Sequence, residues 1–148
     1  MKNDYYAIAC EDVKYLQLTL SSPYYNQISV QAQQVAEKML KSVAERTCTD
    51  IEKLMISHNL RGLYDEISRN EPQFKLDRGK LSMLKDFYFD AKYPGNNFVT
   101  VSKQECQECL DTMYDVIYQT NLFRKRHNLE TLDIPKTGLQ SASEIHVF

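Results

Sequence analysis

The chain has 148 residues, 43% of them hydrophobic, which is enough for one domain with a buried core. Only four glycines and four prolines are present, fewer than the turns of a β-sandwich or barrel need, so the composition favours helices. The formal net charge of −2 gives no overall positive field, and nucleic acid is therefore not an expected partner.

The first residues, MKNDYYAIACEDVK, lack an apolar stretch and carry several charges, so we expect no signal peptide. No apolar run approaches the roughly 18 residues of a membrane span. The sequence therefore predicts a cytoplasmic protein with no membrane contact. In that compartment its four cysteines are expected to be reduced thiols.

Apolar residues that recur at steps of three and four predict helices over most of the chain. The predicted helices cover about 3–20, 26–46, 58–69, 79–92 and 102–120, with a short turn of helix near 51–55. The last helix opens with the capping-box pattern from Ser102 to Glu105 and is expected to end near Thr120 or to continue through His127.

These elements predict an all-α fold, an antiparallel up-and-down four-helix bundle with an additional short helix. We expect the bundle to occupy residues 1–120. Residues 121–148 have weak periodicity and are expected to form a helix extension and a C-terminal tail that is partly ordered or packed on a partner.

The second predicted helix, which contains QAQQVAEKMLK, has a polar face opposite its apolar stripe. This face holds Gln33, Gln34, Glu37, Lys38 and Lys41. One interpretation is a solvated helix surface. The alternative is a binding face for a nucleotide, a partner chain or a second copy, since two adjacent glutamines supply both donors and acceptors.

Four further polar residues lie near helix ends. His58 precedes an apolar helix, and Asp90, Lys92 and Tyr93 come just before Pro94. Each has a structural interpretation: a local hydrogen bond for His58, the negative helix end for Lys92 and the edge of the core for Tyr93. In the functional alternative, these four residues line one polar cleft.

Two other motifs are better explained by structure than by chemistry. Cys106 and Cys109 form a single CxxC without a second ligand pair, and Cys106 fits the apolar stripe of its helix. The run from Arg124 to His127 is dense in cations but is typical of a solvated helix end. We therefore expect no metal site, no cofactor and no catalytic residues.

Three segments in order resemble the HEPN family of helical domains. They are QQVAEKMLKSV on the second helix, His58-Asn59-Leu60 before the next, and FYFDAKYPG at the end of the fourth. The resemblance covers about residues 4–120. It implies an antiparallel bundle, often dimeric, that is commonly encoded beside a minimal nucleotidyltransferase and binds it, sometimes as a toxin–antitoxin pair. The family is also similar to the helical domain of aminoglycoside nucleotidyltransferases, which helps to form a nucleotide and substrate site.

A ribonuclease branch of the family carries an Arg followed, after four to six intervening residues, by a His. No histidine of this chain has an Arg at that spacing: Arg46 is too far before His58, and Arg124 is too close to His127. The basic position before Tyr93 is also changed, from the family's common Arg to Lys92, which removes bidentate anion recognition.

The sequence thus predicts a non-catalytic HEPN-type interaction domain that forms a homodimer, pairs with a separately encoded nucleotidyltransferase and contributes to a nucleotide or substrate cleft. The cleft residues would be Gln33, Gln34, Glu37, Lys41, His58, Asp90, Lys92 and Tyr93. The alternatives are a ribonuclease toxin of the same fold and a stand-alone nucleotide-binding sensor.

Overall fold

The computed structural model describes residues 4–95 and 98–140, which contain six helices and no strand. The prediction of an all-α helical bundle is confirmed. Within these ranges, no helix combines the length and the hydropathy that crossing a membrane requires. The helices are α1 (Tyr5–Gln17), α2 (Tyr25–Thr47), α3 (Glu52–Met55), α4 (Leu60–Asn70), α5 (Arg78–Asp90) and α6 (Lys103–Arg126).

Helix α2 lies at the centre of the bundle and packs against α1, α4, α5 and α6. Its predicted apolar stripe is confirmed, because every member is fully buried: Ala32, Val35, Ala36, Met39, Leu40, Val43 and Ala44. A helix with four neighbours retains little solvated surface. The polar residues of α2 are therefore also candidates for burial.

Helix α1 ends earlier than the sequence predicts, at Gln17 instead of about residue 20. The amides of Leu18 and Thr19 donate to the carbonyls of Tyr15 and Leu16, only three residues back, at 3.0 and 2.9 Å. Such bonds tighten the last turn to 3₁₀ geometry and end the α-helix.

Side-chain caps fix the starts of α4 and α6. The Asn59 side chain accepts a hydrogen bond from the Gly62 amide at 3.0 Å, so α4 begins at Leu60 and His58 lies just before the helix. At α6 the predicted capping box is confirmed, since Ser102 and Glu105 each accept a hydrogen bond from the other's backbone amide.

Helix α6 continues to Arg126, so the expected boundary at residue 120 falls inside it. Beyond it, residues 129–140 form an extended segment, the C-terminal strap, which packs on the same chain. The Tyr6 hydroxyl accepts from the Leu132 amide at 2.9 Å, and the Tyr114 hydroxyl donates to the Thr137 carbonyl at 2.8 Å. The rest of the predicted tail, 141–148, and the first three residues lie outside the described part of the chain.

Candidate functional site

A buried carboxylate on α2 connects most of the predicted site residues. Glu37 is only 5% exposed. Its Oε1 accepts from Gln33 Nε2 at 3.1 Å and lies 2.7 Å from His58 Nδ1, and its Oε2 accepts from Lys41 Nζ at 3.0 Å. Gln34 extends the chain of bonds by donating to Gln33 Oε1 at 2.8 Å. We call Glu37 and these four partners the polar cluster.

The interpretation of this face as solvated surface is wrong for Gln33, Glu37 and Lys41, all of which are buried. The sequence pattern shows that one side of α2 is polar but not that α4 and α5 pack against α2. Lys38 differs from these three residues. It remains partly exposed and forms an ion pair with Asp12 on α1 instead of with the polar cluster. A buried Lys and Glu are tolerated together because each neutralises the other.

His58 joins the polar cluster to α5. An ionised carboxylate has only acceptors, so His58 Nδ1 is the donor in its contact with Glu37. The imidazole also packs on the Tyr88 ring, with 4.8 Å between ring centroids. The side chain is 40% exposed, and His58 therefore forms the solvent-facing end of the cluster.

The contact with Tyr88 leads to an exposed cation. Lys92 Nζ donates to the Tyr88 hydroxyl at 2.9 Å, and this hydrogen bond raises the pKa of Lys92. Its Nζ lies 4.6 Å from the Tyr88 ring centroid and 5.3 Å from that of Tyr93. Lys92 and Tyr93 are both exposed, so a positive charge flanked by two aromatic rings reaches the surface beside His58.

Asp90 is a predicted site residue that makes a backbone contact elsewhere. Its backbone carbonyl accepts from the Val99 amide at 2.8 Å, which fixes the connection after α5. Tyr88, which the sequence analysis did not single out, connects His58 to Lys92 instead. The available signal was its position four residues before Lys92, since such residues are neighbours on a helix.

A second polar site lies where α2, α4 and α6 end. A cavity of about 520 Å³ is lined by residues that include Arg46, Asn70, Glu71 and His127. His127 Nε2 lies 2.8 Å from Glu71 Oε1. The sequence spacing gave no sign of this group, because its members lie at the ends of three helices that are distant in the chain.

The predicted solvated basic run is only partly solvated. Arg124 is 4% exposed, its guanidinium lies 3.8 Å from the Tyr6 ring centroid, and its Nε donates to the Glu130 carbonyl at 2.6 Å. Arg126 lies 3.8 Å from Glu71. Arg124 therefore anchors the C-terminal strap and is not available to a partner.

The CxxC cysteines lie in the core. Cys106 and Cys109 are fully buried free thiols, and burial raises both pKa values, that of Cys109 to about 12. Thiols with raised pKa values are poor nucleophiles and poor metal ligands. Among the described residues, no group of three or more His, Cys, Asp or Glu side chains is arranged to hold a metal ion.

Comparison with models of protein families finds a match that covers most of the chain. The model of the HEPN domain matches residues 3–121, which include the polar cluster, Tyr88 and Lys92. Comparisons with curated proteins and with solved structures found no match.

Proposed function

Because this chain belongs to the HEPN domain family, we propose that it is a non-catalytic interaction domain that forms a homodimer and binds a separately encoded nucleotidyltransferase. In the complex, His58, Lys92 and Tyr93 would contribute to a cleft for a nucleotide or its substrate. The buried part of the polar cluster would hold these exposed groups in position and would not itself touch the ligand.

One observation carries this proposal: Lys92 is exposed and flanked by the rings of Tyr88 and Tyr93. A nucleotide combines a phosphate, which a lysine binds as a point charge, with a flat base that packs on an aromatic ring. Tyr93 is 51% exposed, so about half of its surface is accessible to such a base. The anchored imidazole of His58 supplies a further polar group at the same edge.

Co-expression with a minimal nucleotidyltransferase tests the pairing. We expect the two proteins to co-purify and the complex to bind ATP in calorimetry. Lys92→Ala should weaken ATP binding roughly ten- to hundredfold, the range for losing one hydrogen bond to a charged group. Lys103→Ala removes an exposed lysine at the start of α6 and is the matched control. Absence of a complex would refute the pairing.

A second candidate function, metal-independent RNA cleavage, is favoured by the cavity at the helix ends. His127 can exchange a proton there, Glu71 orients its ring, and Arg46 supplies a cation for a phosphate. Arg46 lies on α2, and Glu71 and His127 directly follow α4 and α6, so their grouping does not depend on the Arg/His spacing of the family's ribonuclease branch.

Expression of the chain alone distinguishes the two functions. A ribonuclease toxin would arrest growth with RNA decay, and both His127→Ala and Arg46→Ala would abolish the arrest. His58→Ala is the control, since His58 lies in the other site. Normal growth with intact RNA would exclude this candidate, whereas a nucleotide-dependent complex would support the first.

A further inference from the structure

An apolar groove lies between the end of α1 and the first turns of α2. Its volume is about 690 Å³. Tyr15, Leu18 and Tyr24 line it and are 64%, 81% and 64% exposed, and the buried residues Leu16 and Ile28 also line it. Large apolar side chains grouped around a depression indicate a surface that another segment or molecule covers.

The C-terminal strap runs along α1 towards this groove. Its Leu132 amide donates to the hydroxyl of Tyr6 in the first turn of α1, at 2.9 Å. Eight residues further on, the Gln140 amide donates to the Leu20 carbonyl, just beyond the end of α1, at 3.2 Å. Leu20 is two residues after Leu18, a residue of the groove, so the strap is directed to the edge of the groove.

The residues that follow Gln140 are long enough to cross the groove. They are 141–148, with the sequence SASEIHVF, and they lie outside the described part of the chain. An extended segment of this length spans about 26 Å at roughly 3.3 Å per residue. The residues from Tyr24 to Gln31, which form the α2 side of the groove, cover only about 10 Å at 1.5 Å per helical residue.

The side chains of this segment match the chemistry of the groove. If the segment continues the extended conformation of the strap, Ile145 and Val147 face one side and Glu144 and His146 face the other. All of the residues that line the groove are neutral, and most of its exposed side chains are apolar or aromatic. The apolar side of the segment can therefore cover the groove while the Glu144 carboxylate stays in water.

The groove also supplies partners for an extended backbone. Gln27 and Gln31 both line it, are exposed and lie four residues apart on one side of α2. Their amides can donate to backbone carbonyls and accept from backbone amides, as Gln107 accepts from the Leu139 amide of the strap at 2.9 Å. We propose that residues 141–148 of the same chain bind in this groove and close it to other proteins.

Nuclear magnetic resonance on the full chain tests the proposal. A mixture of labelled and unlabelled chains separates contacts within one chain from contacts between two copies. We expect nuclear Overhauser contacts from the methyl groups of Ile145 and Val147 to the rings of Tyr15 and Tyr24, within one chain only. Contacts between copies would assign the groove to a second copy, and the absence of any contact from these methyl groups would refute the proposal.

Point variants on both sides of the contact add a second test, read by amide hydrogen exchange of residues 143–147. Leu18→Glu and Ile145→Glu should each lower the protection of these amides about ten- to hundredfold, the effect of losing one large apolar side chain from a buried contact. Leu18 is mainly exposed, so Leu18→Glu should keep the helical circular dichroism. Ile56→Glu is the matched control, because Ile56 is 85% exposed and lines a different cavity.

Two results of the exchange experiment would overturn the assignment. One is unchanged protection of residues 143–147 in Leu18→Glu, and the other is an equal loss of protection in Ile56→Glu. Neither measurement needs a nucleotide or a nucleotidyltransferase. Failure of the groove assignment is therefore distinct from failure of the proposed pairing.

Discussion

Glu37 is the residue on which the polar cluster depends. It is buried and forms an ion pair with Lys41, which is 6% exposed. Replacing Glu37 by Ala would leave the Lys41 charge buried without a partner. We expect Glu37→Ala to lower the free energy of unfolding by about 3–5 kcal/mol, measured by urea denaturation.

The double variant Glu37→Met/Lys41→Met is the control for this explanation. It removes both charges and keeps side chains of similar volume, so it should recover most of the lost stability. If the double variant were as unstable as Glu37→Ala, the loss would come from packing or from the bonds to Gln33 and His58 rather than from the unpaired cation.

Tyr6 makes the free energy of unfolding depend on pH in the alkaline range. The Tyr6 hydroxyl is buried, and desolvation raises its pKa from 10.0 to about 12. The folded state therefore favours the protonated phenol. This contribution is complete below pH 10 and is lost as the pH rises to about 12. The total is about 2–3 kcal/mol for a shift of two pKa units.

Urea denaturation between pH 9 and pH 12 measures this effect against Tyr6→Phe. The variant should be less stable at pH 9 by about 1–3 kcal/mol, because Asn121 Oδ1 and the Leu132 amide lose their partner. It should lose less stability than the unmodified chain as the pH rises. Parallel pH profiles would show that Tyr6 does not cause the alkaline loss.

Among the elements, the C-terminal strap has the clearest energetic role. Leu129, Leu132, Ile134 and Leu139 pack on the core, and Arg124 binds the Glu130 carbonyl. A chain that ends at residue 128 should lose at least about 2 kcal/mol of unfolding free energy, since four partly buried apolar side chains are removed. Thermal unfolding and amide hydrogen exchange of α1 and α6 measure the loss.

A point variant on the strap controls for the effect of losing an exposed side chain. Lys136 is 64% exposed and forms only a loose 3.7 Å ion pair with Asp111, so Lys136→Ala should leave stability unchanged within about 0.5 kcal/mol. If the shortened chain were as stable as the full chain, the contacts of the strap would only offset the conformational entropy that is lost when the strap is ordered.

For the molecule as a whole, the sequence predicts the helices and the apolar faces that they bury, because both follow from the spacing of apolar residues. The stripe of α2 was predictable because Ala32, Val35 and Met39 repeat at helical spacing, and each is fully buried. The burial of Glu37 was not predictable in this way. Its contact from outside α2 is with His58, just before α4, and a helical pattern identifies a polar face without showing which neighbour covers it.

The same limit applies to the contacts between distant segments. His58 meets Tyr88 because α4 and α5 pack together, and no local pattern links the two residues. The C-terminal strap lacks helical periodicity because it is extended, and side chains such as Gln107 and Tyr114 satisfy its backbone. Its position could be derived only from partners far away in the chain.

Helix α2 lies between two sets of interactions. This separation predicts how the stability losses of single variants combine in a double variant. Tyr6 holds the C-terminal strap against α6, whereas His58 is bonded to Glu37 within the polar cluster and contacts Tyr88 of α5. Tyr6 bonds to Asn121 and to the Leu132 amide, and His58 contacts Glu37 and Tyr88. The stability losses of Tyr6→Phe and His58→Ala should therefore add within about 0.5 kcal/mol in a double-mutant cycle.

Glu37→Ala and Lys41→Ala provide the contrast, because these residues touch each other and their losses should not add. Urea denaturation of the single and double variants measures both cycles under one condition. An interaction energy above about 1 kcal/mol between Tyr6 and His58 would mean that α2 transmits strain between the strap and the cluster. In that case, a ligand bound at Lys92 would also change the stability of the strap.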